Sequence, residues 1–450
     1  MSFLIITVII LSCCKPNNPN STDTSVIEEI KIDAKEGIIY PLDSLFSGKV
    51  WFVKLETKND NLIGEVSNIF FDDDLIFVVD ANKTKSVFIF NMDGTYCTKI
   101  SSFGNGPGEY SLMFNVFLLK DKKEIVVIDI PQRKQIHYSY SGEFISEDNY
   151  SFPAYNCEIL ESGNKVYYVA DLETPDFENP ENNVLVVTDD KNKIIYSACN
   201  EFKSESFNLF QQKEFWKYDD ELYFYPDYSD TLFLITDNGA VAKYHIDVIR
   251  DKMPHPSQIE DVTTESFIRD YLNKYYYFDG RFIELEDLTY LELANAGLKI
   301  IYSHNTKNTY LCIDKINTLY QFFSKPIARY EKNTIVEATV PIRMLDYKKY
   351  LYEDLPIIKE KNPEMNIVEM EKNFQDSLYN NLEEEDNPVL FFYGLKGTKS
   401  CEELLQAKAS TLVTPTKPAI ILPTAFSMRR LKQTRMRKWQ LNAQLKMTCL

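Results

Sequence analysis

Short apolar runs that end on an acidic residue recur along the chain. Leu75-Ile76-Phe77-Val78-Val79-Asp80 is echoed by Ile125-Val126-Val127-Ile128-Asp129 and by Leu222-Tyr223-Phe224-Tyr225-Pro226-Asp227. The closing aspartates lie 49 and then 98 residues apart, one period and two. After each comes a short polar stretch, a second apolar run and a turn: Val87 to Phe90 before Asp93-Gly94, Gln135 to Tyr140 around Ser141-Gly142, and Leu232 to Ile235 before Asn238-Gly239. Asp-Gly and Asn-Gly between apolar runs are hairpin signals. The unit missing between the second and third copies is supplied by Val184 to Val187 and Asp189-Asp190-Lys191-Asn192, which keeps the pattern without the glycine. A further strand follows each turn (Tyr96 to Ile100, Glu143 to Ser146, Ile194 to Ser197, Ala240 to His245), and one such as Phe114 to Leu119 precedes the run, giving four per repeat. Self-similarity at this period signals stacked or radial units, and four-stranded units around an axis make a β-propeller.

Beyond residue 250 the period is broken by two helix-like stretches. Ile259 to Tyr275 places Ile268, Tyr271, Leu272 and Tyr275 at helical spacing, and Leu345 to Leu382 is long and charged. Strands return at Phe282 to Leu285, Lys299 to Tyr302, Thr309 to Ile313 and Val389 to Tyr393. The span 41–396 less these insertions holds about six units of the observed period, six fitting better than seven. The expected fold is therefore all-β: a six-bladed β-propeller of four-stranded blades with helical insertions in its C-terminal half. Ring closure is expected to pair Val50 to Leu55 with Val389 to Tyr393.

The two ends read differently. Phe3 to Leu11 is apolar apart from Thr7 and stops at Ser12-Cys13-Cys14, too short to span a bilayer but suited to the apolar region of a signal peptide. Residues 1–14 resemble a bacterial lipoprotein signal in which Cys13 or Cys14 becomes the lipidated terminus, and residues 15–40 read as a polar linker and lead-in. Residues 397–450 carry ten Lys or Arg against two Glu, net +8 of an overall −18, so residues 1–396 carry −26. With no strand-turn periodicity, this tail reads as appended, disordered or out of frame; the alternatives are a basic arm for a partner or a short helix from Met428 to Leu445.

Composition narrows the function classes. Tyr 29, Phe 29 and 44% hydrophobic residues supply a packed, strand-rich core. The acidic balance opposes binding to a phosphate backbone, so nucleic acid is not expected as a partner. The cysteines show no paired spacing of the zinc-site kind, and His137, His245, His255 and His304 stand apart in sequence. Neither a metal nor a cofactor is expected. No Gly-x-Ser-x-Gly elbow is present.

Three segments carry a family resemblance: Phe52-Val53-Lys54-Leu55-Glu56-Thr57 with Leu62-Ile63-Gly64-Glu65-Val66, then Gly104-Asn105-Gly106-Pro107-Gly108-Glu109-Tyr110, then Phe282-Ile283-Glu284-Leu285-Glu286. In these the chain resembles the NHL-like six-bladed β-propeller lipoproteins numerous in Bacteroidota. The resemblance implies a propeller in the cell envelope, an outer-membrane lipoprotein facing periplasm or cell surface, and supplies no catalytic residues.

Candidate ligand-face residues follow from topology. In a four-stranded blade the loop after the second strand and the loop leading to the next blade share one face. Asp80, Asp129 and Asp227 would then share a rim with Gly106, Gly108, Glu109 and Tyr110. Each aspartate also suits a structural role, accepting backbone N–H bonds from its turn. The glycine run lacks the following helix that a phosphate loop needs, so it reads as an inter-blade loop. The primary expectation is a monomeric, non-catalytic binding or scaffolding propeller for a glycan or a protein, held to the membrane by its lipid alone. The alternative is a propeller enzyme, a glycan lyase or hydrolase, and converging carboxylates, His or Tyr with perturbed pKa values would favour it.

Overall fold

In the computed structural model the described residues are 27–33, 39–41, 46–150, 154–169, 183–200, 215–226, 229–255, 258–259, 263–294, 299–313, 326–349, 352–353, 356–357, 360 and 372–395. They build six sheets in a propeller arrangement. Blade 1 is Asn68–Asp72, Leu75–Asp80, Ser86–Asn91 and Tyr96–Ile100, and blade 2 is Asn115–Leu119, Glu124–Asp129, Lys134–Ser139 and Phe144–Asn149. Blade 3 is Ala154–Ile159, Lys165–Val169, Asn183–Thr188 and Ile194–Asn200, and blade 4 is Phe215–Tyr218, Glu221–Phe224, Thr231–Thr236 and Gly239–Val248. Blade 5 is Tyr277–Glu284, Leu288–Ala294, Lys299–Ser303 and Thr309–Ile313, and blade 6 is Ala328–Tyr330, Thr334–Thr339, Val389–Leu395 and Phe46–Lys54. Within each, these four strands run antiparallel in that order.

The apolar runs lack alternation because a blade is covered on both faces by its neighbours. Leu75–Asp80 and Glu124–Asp129 are buried at every position after the first. Their side chains divide between the two adjoining interfaces: Phe77 and Val79 pack toward blade 2 with Val116 and Val127, while Ile76 and Val78 pack toward blade 6 with Val336 and Phe392. The turn at Asp189 to Asn192 shows why blade 3 dispenses with glycine. Asn192 takes φ +62° itself, a conformation Asn tolerates, and Asp189 Oδ1 accepts the Lys191 and Lys193 N–H groups.

Phe46–Lys54, from the N-terminal side, is the outermost strand of blade 6 and pairs antiparallel with Val389–Leu395, Lys54 opposite Val389 and Val50 opposite Tyr393. This is the pairing the sequence predicts for ring closure. Trp51 stacks on Phe392 with centroids 5.0 Å apart, and the whole of Val389–Leu395 is buried.

Two blades depart from the four-stranded expectation. Glu28–Ile32 adds parallel to Gly239–Val248 on blade 4, and Ile39–Pro41 adds parallel to Thr309–Ile313 on blade 5. The lead-in at residues 15–40 thus contains strands. Ile30 and Ile32 are fully buried while Glu29 and Lys31 stay exposed, and the added strands cover sheet edges that would otherwise be free to pair.

Helical segments fall in both of the expected insertions. Between blades 4 and 5, Thr264–Phe267 (α1) continues as a wider turn at Ile268–Leu272 and ends at Asn273, whose side-chain amide donates to the Ile268 carbonyl. Within blade 6, Pro341–Lys349 (α2) and Lys372–Tyr379 (α3) lie between the second and third strands. Buried Met344 and Leu378 anchor them, and Phe374 meets Phe52 edge-on at 5.2 Å.

Candidate functional site

The rim predicted from sequence exists, but its aspartates are inside it. Asp80 is fully buried. Its Oδ2 accepts the Gly64 and Glu65 N–H groups at 2.8 and 3.0 Å and the Thr84 hydroxyl at 3.0 Å, while Oδ1 accepts the Lys83 N–H at 2.8 Å. One carboxylate thus ties its own turn to the strand connection that enters blade 1. Asp129, equally buried, repeats the arrangement: it accepts from the Ser111 N–H and hydroxyl in the connection entering blade 2, and from Gln132 in its own turn. The Asx-turn role is met and extended to bracing between blades; these carboxylates present no surface to a ligand. Asp227 lies outside the described residues, as do Cys13, Cys14 and the tail at 397–450.

The structure brings Gly104 to Tyr110 beside Asp129 as expected, since Gln132 Nε2 donates to both the Gly104 carbonyl and Asp129. The segment is an inter-blade loop. Gly108 takes φ +70° in contact with the Phe144 ring, where a Cβ would stand 2.7 Å from the ring and in a conformation L residues resist. Tyr110 is buried and donates to the Lys85 carbonyl, and Gly106 N–H donates to Glu109. Of the predicted rim residues in this loop, Glu109 is exposed and Gly106 is half-buried.

The cavity lies on the opposite face, at the turns that join first to second strands in blades 4, 5 and 6. It measures about 270 Å³ and is lined by residues of all three blades. Tyr218, Asp219 and Glu221 come from the first turn of blade 4, Glu284 to Glu286 from that of blade 5, and Arg329 and Lys332 from blade 6; Lys243 and His304 complete the wall. Arg329 fixes the floor: its guanidinium donates to the Glu284 carbonyl at 3.1 Å and to Asp219, and lies 5.3 Å from the Tyr218 ring centre. Tyr218 in turn donates to the Phe282 carbonyl at 2.8 Å. Lys332 pairs with Glu286 at 2.9 Å on the exposed side.

Glu284 is the unusual group. It is 7% exposed, and Oε1 accepts the Tyr244 hydroxyl at 2.6 Å while Oε2 lies 2.7 Å from Thr289 Oγ1. Burial pushes its pKa up to about 7, because these hydroxyl bonds do not compensate for lost water and Glu221 adds repulsion. His304 Nε2 stands 2.8 Å from Thr289 Oγ1, and burial pushes its pKa down. Burial likewise pushes Tyr223 and Tyr244 well above the ordinary tyrosine value, with Glu284 adding to both, so both are neutral donors. Among the described residues no three His, Cys, Asp or Glu side chains are grouped to hold a metal ion.

Sequence reasoning missed this site. Glu284 entered only as part of a resemblance, and His304 stood apart. They meet because Glu284 ends the first strand of blade 5 and His304 follows its third, which antiparallel pairing returns to the same face.

Residues 30–394 match the family described as Domain of unknown function (DUF4934). The chain belongs to the DUF4934 family. The matched span runs from the strand added to blade 4 to the strand that closes the ring. This DUF4934 chain is similar in fold to a protein of Bacteroides fragilis described as exported, at 21% identity and TM-score 0.64, over 82% of this chain and all of that one. A member of the DUF4221 family from Bacteroides vulgatus aligns at 13% identity and TM-score 0.43, over 78% of this chain and 97% of that one. The extracellular domain of a hybrid two-component system from B. thetaiotaomicron aligns at 12% identity and TM-score 0.32, over 58% of this chain and 29% of that one. No curated protein matches the DUF4934 sequence.

Proposed function

We propose that the protein is a cell-envelope β-propeller that binds a polar ligand, a glycan or a peptide, in the cavity shared by blades 4, 5 and 6. The observation that carries this reading is the cavity itself: charged and hydroxyl-bearing side chains from three blades converge on one concave wall, the form ligand sites take. The short apolar N-terminal run ending at Cys13-Cys14, together with the structural neighbour from Bacteroides fragilis described as exported, supports an envelope location. Lipid attachment at one of these cysteines, kinship with NHL-like repeats and placement at the outer membrane, facing periplasm or cell surface, are parts of the same proposal.

The enzyme reading is favoured by one observation, the raised pKa of Glu284 among Tyr244, Thr289 and His304. A glycan and peptide binding screen on the purified full-length protein tests the proposal. A ligand whose affinity falls in Lys243→Ala supports it, since the Lys243 ammonium lines the cavity on its blade 4 side. Ligands that bind the wild type and all cavity variants equally would place the site elsewhere.

A further inference from the structure

Resting on the cavity as the ligand site, we propose that Glu284, Thr289 and His304 form a proton relay that carries a proton between the partly exposed imidazole at the cavity wall and the buried Glu284 carboxyl.

Thr289 Oγ1 lies 2.7 Å from Glu284 Oε2 and 2.8 Å from His304 Nε2, yet a hydroxyl has a single proton to donate. One neighbour must therefore donate to Thr289. His304 Nδ1 faces the Glu286 carbonyl at 3.4 Å, which requires that nitrogen to carry a proton. Two arrangements satisfy these three contacts, the longer ones of His304 Nε2 to Glu284 Oε1 at 3.5 Å and to the Tyr244 hydroxyl at 3.4 Å lying beside them. In the first, the Glu284 carboxyl O–H donates to Thr289, Thr289 donates to His304 Nε2, and His304 is neutral with its proton on Nδ1. In the second, His304 Nε2–H donates to Thr289, Thr289 donates to the Glu284 carboxylate, and His304 is the cation. They differ by the concerted shift of two protons across Thr289, which moves one charge-equivalent from carboxyl to imidazole; no electrons are transferred and the total proton number is constant. A carboxylate beside a neutral imidazole, by contrast, leaves a lone pair against either Thr289 or the Glu286 carbonyl.

The surroundings favour the first arrangement below pH 7. Both groups are shifted toward their uncharged forms, chiefly by burial, Glu284 up to about 7 and His304 downward. The charged and titratable groups facing the pair are few. Lys243 and Tyr244 come from the outer strand of blade 4, Glu221 and Tyr223 from its second, Glu28 from the strand added to blade 4, and Lys307 from the turn after His304. Glu28 is itself paired with Lys307 at 2.8 Å and accepts from Tyr302. Glu284 is 9% exposed at its side chain and His304 21%, so the imidazole is the member nearer solvent. A ligand oxygen entering the cavity meets the imidazole end of the relay, whose far end is a carboxyl engaged by Tyr244 and Thr289. The ligand class this suits is one offering a proton-accepting oxygen, as glycosidic and ester linkages do.

The test needs no ligand, so its failure is separate from failure of the binding proposal. Histidine side-chain nitrogen resonances are followed from pH 5 to 9 in the 15N-histidine-labelled full-length protein and in Glu284→Gln, Thr289→Val and Thr289→Ser. The relay predicts that His304 in the wild type shows a second inflection near the titration of Glu284. That inflection disappears in Glu284→Gln and Thr289→Val and returns in Thr289→Ser, which restores the hydroxyl. Backbone amide spectra confirm that each variant keeps the wild-type fold, and Thr289→Ser against wild type carries the comparison should Thr289→Val unfold. A single His304 inflection that is the same in the wild type and in Glu284→Gln overturns the proposal.

Discussion

Replacing Phe392 with Ala removes the side chain on which ring closure is packed. Phe392 is fully buried in the strand that pairs with Phe46–Lys54, stacks on Trp51 at 5.0 Å and 9°, and contacts Phe71 and Tyr330 with centroids 5.7 and 5.3 Å away. Truncating a buried Phe costs about 3–5 kcal/mol, the cavity left behind being part of that figure. Losing favourable aromatic pairs adds about 0.5–1.5 kcal/mol, so the expected destabilisation lies near the upper end, at about 4–5 kcal/mol. Trp51 is the residue that gives the effect its leverage, because it belongs to the N-terminal strand and its ring has no other stacked partner among the described residues. The assay is equilibrium urea unfolding followed by tryptophan fluorescence, with Phe103→Ala as the control. Phe103 is 59% exposed and should cost within about 0.5 kcal/mol. Equal midpoints for the two variants would refute the claim that closure through Phe392 holds the ring.

Deleting residues 397–450 should leave the melting temperature nearly unchanged, whereas deleting 387–450 removes Val389–Leu395 and should give an unfolded or aggregating product in thermal scanning and size-exclusion runs. Asp80→Ala strands three backbone N–H donors and the Thr84 hydroxyl, and at about 1–3 kcal/mol for each buried unsatisfied group, reduced by entering water, it should cost about 3–5 kcal/mol in urea unfolding. Glu284 titrates near 7 when folded against an ordinary 4.5, so the native state holds the extra proton between those values and stability contributed by this group falls as pH rises from 4.5 through 7. His304, shifted downward, contributes the opposite slope below 6.5. The wild type minus Glu284→Gln difference should isolate the carboxyl as a loss of about 3 kcal/mol across that window. Changing Cys13 and Cys14 together to Ser should move the protein from the membrane to the soluble fraction, read by fractionation and blotting.

The architecture was legible because it is written locally and repeated. Leu75 to Asp80 and Ile125 to Asp129 each announce a middle strand, and their spacing announces the ring. The added strand at Glu28–Ile32 was less visible. Its alternation of Ile30 and Ile32 with Glu29 and Lys31 is real, but a five-residue pattern beside a polar stretch does not say which sheet it will join. The rim aspartates show the structural role that the sequence reading set beside the ligand-face one. Recurrence of Asp80 and Asp129 marks a repeated geometric need of the blade, namely satisfying the backbone where one blade enters the next. The cavity carries no such repetition. Tyr218, Glu284, His304 and Arg329 lie on three blades and meet only because the turns after first and third strands gather at one face. Nothing in their spacing encodes that convergence.

The central claim is that ligand recognition sits at the cavity of blades 4, 5 and 6 and not at the rim of Glu109. The most direct measurement is the dissociation constant of a ligand obtained from the glycan and peptide screen, compared between Lys243→Ala, Glu284→Gln and Glu109→Ala. Affinity should fall about tenfold or more in the first two, near 1.4 kcal/mol, with Glu109→Ala unchanged. Loss confined to Glu109→Ala, with wild-type affinity in both cavity variants, would contradict it.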